Sequence, residues 1–158
     1  MKDAAGVKNL SSIVHQQHGQ LIVVVSAMGK TTNLLETLCN AYFHQDPKAT
    51  AIMKELKNFH LDIVNTLFPL NDTIHKHLEE LFTSLENILA SESSLCYDYE
   101  YDRIICFGEL ISTTIISDYL KMEGIENQFI DIRKFLKTDQ NYRNANIDLE
   151  LSEQLCKD

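Results

Sequence analysis

The chain has 158 residues, 44% hydrophobic and 23% charged, a make-up that fits one folded globular domain and excludes disordered and collagen-like classes. Its 14 Lys and Arg against 23 Asp and Glu give a net charge of −9 at pH 7, and that excess repels a phosphate backbone, so nucleic acid is not an expected partner. No membrane association is expected either: the longest apolar stretch, Leu21 to Val25 with Ala27 and Met28 beyond, falls far short of the roughly 20 residues a bilayer requires, and Met1-Lys2-Asp3 leads into no signal-like run.

In chain order, Val7, Leu10, Ile13 and Val14 fall at helical spacing between Lys2 and Gln17, with Gly19 as the stop. Leu21 to Val25 is an uninterrupted, mostly β-branched run that reads as a strand buried on both faces of a parallel sheet. Ser26 to Thr32 breaks it, and from Asn33 a helical period resumes through Leu34, Leu35 and Leu38. Between Pro47 and Ala90 two amphipathic segments follow, Ile52 to Leu67 and Ile74 to Leu89, separated by Pro69 and the cap Asn71-Asp72, and these read as an inserted antiparallel helical pair at 47–90. After the polar linker Ser91 to Ser94, Arg103 to Phe107 reads as a strand. Gly108-Glu109 opens a helix that Gly124 closes, Gln128 to Asp131 reads as a short strand, and Lys137 to Asp148 as a surface loop. Strands alternating with helices imply an α/β fold, a parallel sheet flanked by helices.

The four cysteines, Cys39, Cys96, Cys106 and Cys156, form no CxxC pair and are expected as reduced thiols in a cytoplasmic protein. His75 and His77 lie two apart, on different sides of a helix, so no metal site is expected.

In parallel sheets ligands gather where strands end and helices begin. Ser26 to Asn33 and Phe107 to Ser112 are two such junctions. The Gly29-Lys30-Thr31 of the first imitates the end of a P-loop, but Val24 stands where that motif needs its first glycine. What remains is a set of hydroxyls, Ser26, Thr31 and Thr32, beside a helix start, which taken alone favours capping the helix over holding a carboxylate or phosphate. In the second junction, Glu109 either favours the positive end of the helix dipole or receives an ammonium group.

Together the two junctions resemble the aspartokinases of the amino acid kinase superfamily. Ser26-Ala-Met-Gly-Lys-Thr-Thr32-Asn33 matches S-A-x-x-x-x-T-N, and Gly108-Glu109-Leu-Ile-Ser112 matches G-E-x-x-S beyond a helical insert. Asp131-Ile-Arg133 matches D-x-R and is followed by Thr138 ahead of a polar loop. The resemblance implies an amino acid kinase-like three-layer sandwich, present in part, in an enzyme that phosphorylates the β-carboxylate of L-aspartate with ATP in lysine, threonine and methionine biosynthesis. It implies Thr32 and Ser26 at the substrate's carboxylate and Glu109 at its α-ammonium, while Ser112 would permit close helix packing and Asp131 and Arg133 would be structural.

The family's opening K-F-G-G-[TS]-S-V and its later G-R-G-G-S-D have no counterpart here. The chain is therefore expected to be an amino-terminal catalytic-domain fragment spanning 1–158, inactive alone, with no catalytic residue assigned and Lys30 not shown to replace the absent lysine. ATP and Mg²⁺ belong to the full-length enzyme and none is expected on this chain. A missing first strand would expose a sheet edge, so a homo-oligomer is expected. Alternatives are another amino acid kinase, a non-catalytic domain whose 47–90 helices hold a partner, and a P-loop NTPase.

Overall fold

The computed structural model describes residues 1–68 and 72–157. Among them are seven α-helices: α1 Ala4–His15, α2 Thr31–Phe43, α3 Lys48–Leu67, α4 Asp72–Ala90, α5 Tyr97–Ile105, α6 Phe107–Met122 and α7 Leu149–Lys157, with a 3₁₀ turn at Ile132–Lys134. Asp3 starts α1 by accepting the Gly6 N–H at 3.0 Å. The apolar residues of α2 recur at Leu35, Leu38, Cys39 and Tyr42, and all are buried. The expected breaker and cap between α3 and α4, Pro69 and Asn71-Asp72, lie outside the described residues, save that Asp72 begins α4.

α6 is the central post. Phe107, Leu110, Ile111, Ile115, Ile116, Tyr119 and Leu120 bury faces all round it, so it carries little amphipathic bias and packs against α1, α2, α4 and α5. Ile111 and Ile115 have no exposed surface, and each such burial contributes about 1.5–3 kcal/mol. Gly124 ends α6 with φ +78°, its N–H reaching Lys121 O while Ile125 N–H reaches Leu120 O. The helical pair closes the other side, with Leu56, Ile63 and Leu67 of α3 and Ile74, Leu78, Phe82 and Leu85 of α4 in one core. Lys57 of α3 reaches Glu86 of α4 at 3.0 Å over the Phe82 ring. These apolar faces are occupied by the domain's own core.

The expected parallel sheet is not formed: no strand or sheet occurs among the described residues, and their one β-bridge, antiparallel, joins Thr138 to Ile147. Two physical reasons account for this. Arg103 to Ile105 is the last turn of α5 and Phe107 opens α6, because Tyr97, Tyr101, Ile104 and Ile105 form a stripe at helical spacing, with Asp98 and Glu100 in the first turn and Arg103 in the last to suit the dipole. A short apolar run read alone cannot distinguish that from a strand. Leu21 to Val25 is extended, but a strand is completed by a neighbour's backbone, and among the described residues nothing hydrogen-bonds to Gln20–Val25. Its side chains alternate, Val23 and Val25 half-buried toward the helices, Ile22 and Val24 90% and 92% exposed. Gln128 to Asp131 likewise has no strand partner among the described residues and leads into the 3₁₀ turn.

No helix among the described residues is long and apolar enough to cross a membrane. All four cysteines are free thiols. Burial pushes the Cys39 thiol up to about 11, which makes it a packing residue at neutral pH.

Candidate functional site

The turn between the extended run and α2 is shaped by two constraints. Gly29 sits at φ +56°, and a Cβ there would lie 3.0 Å from the Phe59 ring and 3.2 Å from Lys2 O, so only glycine fits. Its N–H donates to Met1 O at 2.8 Å. Thr31 N–H then closes on Met28 O at 3.0 Å and Leu34 N–H on Lys30 O at 3.1 Å, which leaves the first-turn amides of Thr32 and Asn33 at the open end of α2.

The start of α6 lies directly against this turn because residue 108 is glycine: a Cβ on Gly108 would sit 2.8 Å from Ala27 Cβ. The close approach lets the Glu109 carboxylate accept the Ala27 N–H at 3.1 Å. The Ser112 hydroxyl, fully buried, is shared between Ser26 O at 3.0 Å and Glu109 O at 3.1 Å. Ser26 and Glu109, separated by more than eighty residues in sequence, thus belong to one hydrogen-bonded cluster. Thr32 stands half-buried in the first turn of α2, next to the buried Thr31, whose methyl also faces the Gly108 position.

Chemically the cluster offers hydroxyls and free amides on the α2 side and a carboxylate with one oxygen already anchored on the α6 side. Helix-start amides and hydroxyls are donors to an anion, and a carboxylate is an acceptor for a cation. Among the described residues no three His, Cys, Asp or Glu side chains are grouped to hold a metal, and Lys30 is the turn's lone cation.

Asp131 and Arg133 form a two-bonded ion pair at 2.9 and 2.7 Å, and Arg133 also contacts Cys106 Sγ at 3.5 Å, just before α6. The guanidinium holds the Asp131 carboxyl below its usual range, and burial pushes the Cys106 thiol up. Thr138 lies in the bridge to Ile147, within a loop whose turn Asp139 organises by accepting from Asn141 and Asn146.

No protein-family model matches the chain. Individual relatives do. It is 31% identical over 134 residues to the chloroplastic aspartokinase 2 of Arabidopsis thaliana, covering 80% of this chain and 24% of that protein. It is 26% identical over 132 residues to the aspartokinase of Chlamydia pneumoniae, covering 82% and 27%. The relatives of this chain are aspartokinases. It spans between 15% and 34% of the length of the curated relatives it matches. In structure it superposes on Escherichia coli aspartokinase III, in complex with aspartate and ADP, with a TM-score of 0.85 at 22% identity, over 98% of this chain and 34% of that one. The lysine and aspartate complex of the same enzyme gives 0.84. The helical body described above is therefore the fold of an aspartokinase region.

Two residues of this aspartokinase-related chain escaped the reading of the sequence. Ser112 was expected only to permit close packing, and its hydroxyl instead ties the two junctions together. His60 is fully buried: Nδ1 donates to Leu56 O at 2.8 Å, so Nε2 carries the lone pair that accepts the Thr31 hydroxyl at 3.2 Å. The available signal was a lone histidine between Leu56 and Ile63 on an apolar face.

Burial lowers His60 below its ordinary value of 6.5, outweighing the Leu56 carbonyl. The folded chain therefore binds fewer protons than the unfolded one below about pH 6.5. Stability is full above that value and declines as pH falls toward the folded pKa, by up to about 1.4 kcal/mol per pH unit. Urea midpoints should drop between pH 7.5 and pH 5.5, and His60→Gln, less stable at pH 7.5, should show a shallower slope; equal slopes would contradict the assignment.

Proposed function

We propose that this chain supplies the amino-acid-holding surface of an aspartate kinase, the enzyme that transfers the γ-phosphoryl of ATP to the β-carboxylate of L-aspartate, giving 4-phospho-L-aspartate. The observation that carries this reading is the junction cluster, in which Ala27 N–H on Glu109 and the Ser112 hydroxyl on Ser26 O hold the two halves of the motif pattern together. The names of the relatives and the presence of aspartate in the aspartokinase III complexes support the choice of substrate. In this reading the carboxylate of aspartate takes the Thr32 hydroxyl and first-turn amides with Ser26 assisting, and the ammonium takes the Glu109 oxygen that Ala27 leaves free. Because the chain spans only 15% to 34% of the curated relatives it matches, nucleotide binding and phosphoryl transfer are assigned to other residues of the full enzyme, and this chain alone should bind aspartate without turning over ATP.

Glu109→Gln is the discriminating variant. Its amide oxygen still accepts the Ala27 N–H, so the junction stays closed, while the charge that recognises an ammonium is gone. A charge-assisted hydrogen bond of about 1.5–3 kcal/mol predicts a loss of about 10- to 150-fold in aspartate affinity by calorimetry, with little change in Tm. Unchanged affinity in Glu109→Gln and in Thr32→Val would overturn the reading.

A further inference from the structure

We infer that His60, on the inserted helix α3, is a positioning residue for the aspartate-binding turn, selecting which of two adjacent threonines faces the ligand. The inference rests on the reading of the junction as an amino-acid site. Thr31 and Thr32 are chemically interchangeable, and on a helix of 3.6 residues per turn they point about 100° apart, so only one can face outward. The Thr31 hydroxyl is bound inward by the bare Nε2 of a histidine whose other nitrogen is fixed on Leu56 O, and no other ring orientation meets both demands. The neighbouring side chain, Phe59, lies against Gly29 at the other end of the same turn, so consecutive α3 residues hold residues 29 and 31. The ring is enclosed by Phe59 and by Phe82 of α4, which locks its orientation. α3 thereby gains a role at the turn, with α4 behind it: with Thr31 held in, Thr32 and its amide stay at the open end of α2.

The test uses the whole chain in four forms: wild type, Thr31→Val, Thr31→Ser and His60→Phe. Nitrogen NMR of the wild-type ring should find Nδ1 protonated and Nε2 bare. The Thr32 and Asn33 amide resonances should move together in Thr31→Val and His60→Phe and return in Thr31→Ser, which keeps the hydroxyl. Aspartate affinity by calorimetry should fall at least fivefold in Thr31→Val and recover to within twofold in Thr31→Ser. A lowered Tm with affinity and amides unmoved would mean a merely structural bond and would overturn the inference, as would an Nε2-protonated ring. If wild type itself fails to bind aspartate, the site reading falls, and the amide shifts alone decide whether His60 sets the turn. Thr31→Val, nearly isosteric, keeps the test valid should His60→Phe fail to fold.

Discussion

Gly108→Ala is expected to destabilise the protein by about 2–4 kcal/mol, although alanine is the better helix former by about 1 kcal/mol. The added methyl would meet Ala27 Cβ at 2.8 Å and Leu35 Cδ1 at 3.3 Å. Leu35 can turn aside, but Ala27 Cβ is fixed to the backbone of the turn, so α6 and the turn must part. Separation costs overpacking strain of about 1–3 kcal/mol and weakens the Ala27–Glu109 hydrogen bond, whose charged acceptor makes it worth about 1.5–3 kcal/mol. Gly6→Ala is the control, since the atom it meets at 2.8 Å is the flexible Met1 Cγ in open surroundings, and there the helix preference should win. Urea unfolding of the two variants should give opposite signs. A Gly108→Ala protein at or above wild-type stability would show that the close approach is not needed.

The second large effect is expected at Glu100, whose side chain has no exposed surface. One oxygen accepts the Ser94 N–H at 2.7 Å and the other the Arg103 guanidinium at 3.2 Å. Removing a partner from a buried pair typically costs about 3–5 kcal/mol, because the remaining charge is left uncompensated. Arg103 is one-third exposed and can be rehydrated, which puts Glu100→Ala near the low end, about 3 kcal/mol, and Glu100→Gln, which still accepts from Ser94, at roughly half of that. Thermal unfolding measures both. A loss below about 0.5 kcal/mol in Glu100→Ala would show that water already serves Ser94 and Arg103.

The helices are legible wherever their apolar residues repeat over about two turns or more. Leu35, Leu38 and Tyr42, or Leu56, Ile63 and Leu67, state the period by themselves. Arg103 to Phe107 was misread because the five-residue window omitted Tyr97 and Tyr101, where the helical stripe begins. α7 has one buried residue, Ser152, and so carries little apolar pattern to announce it. The sheet is a different kind of error: a strand is a relation between segments, and Leu21 to Val25 carries the composition of one without the backbone partner that would make it one. At the site, the hydroxyls and Glu109 could be named because motif residues are local in sequence. The bonds that join them, Ser112 to Ser26 and His60 to Thr31, cross 86 and 29 residues and leave no local trace.

The bare segment from Gln20 to Val25 has a consequence for handling the protein in solution. At pH 7 the charge of −9 opposes contact between molecules through the exposed Ile22 and Val24. Near the isoelectric point of about 5.1 that repulsion vanishes, and amides with no backbone partner among the described residues, flanked by aliphatic side chains, become mutually adhesive. Turbidity should therefore peak near pH 5, and Val24→Lys should flatten the peak even though it touches nothing in the core.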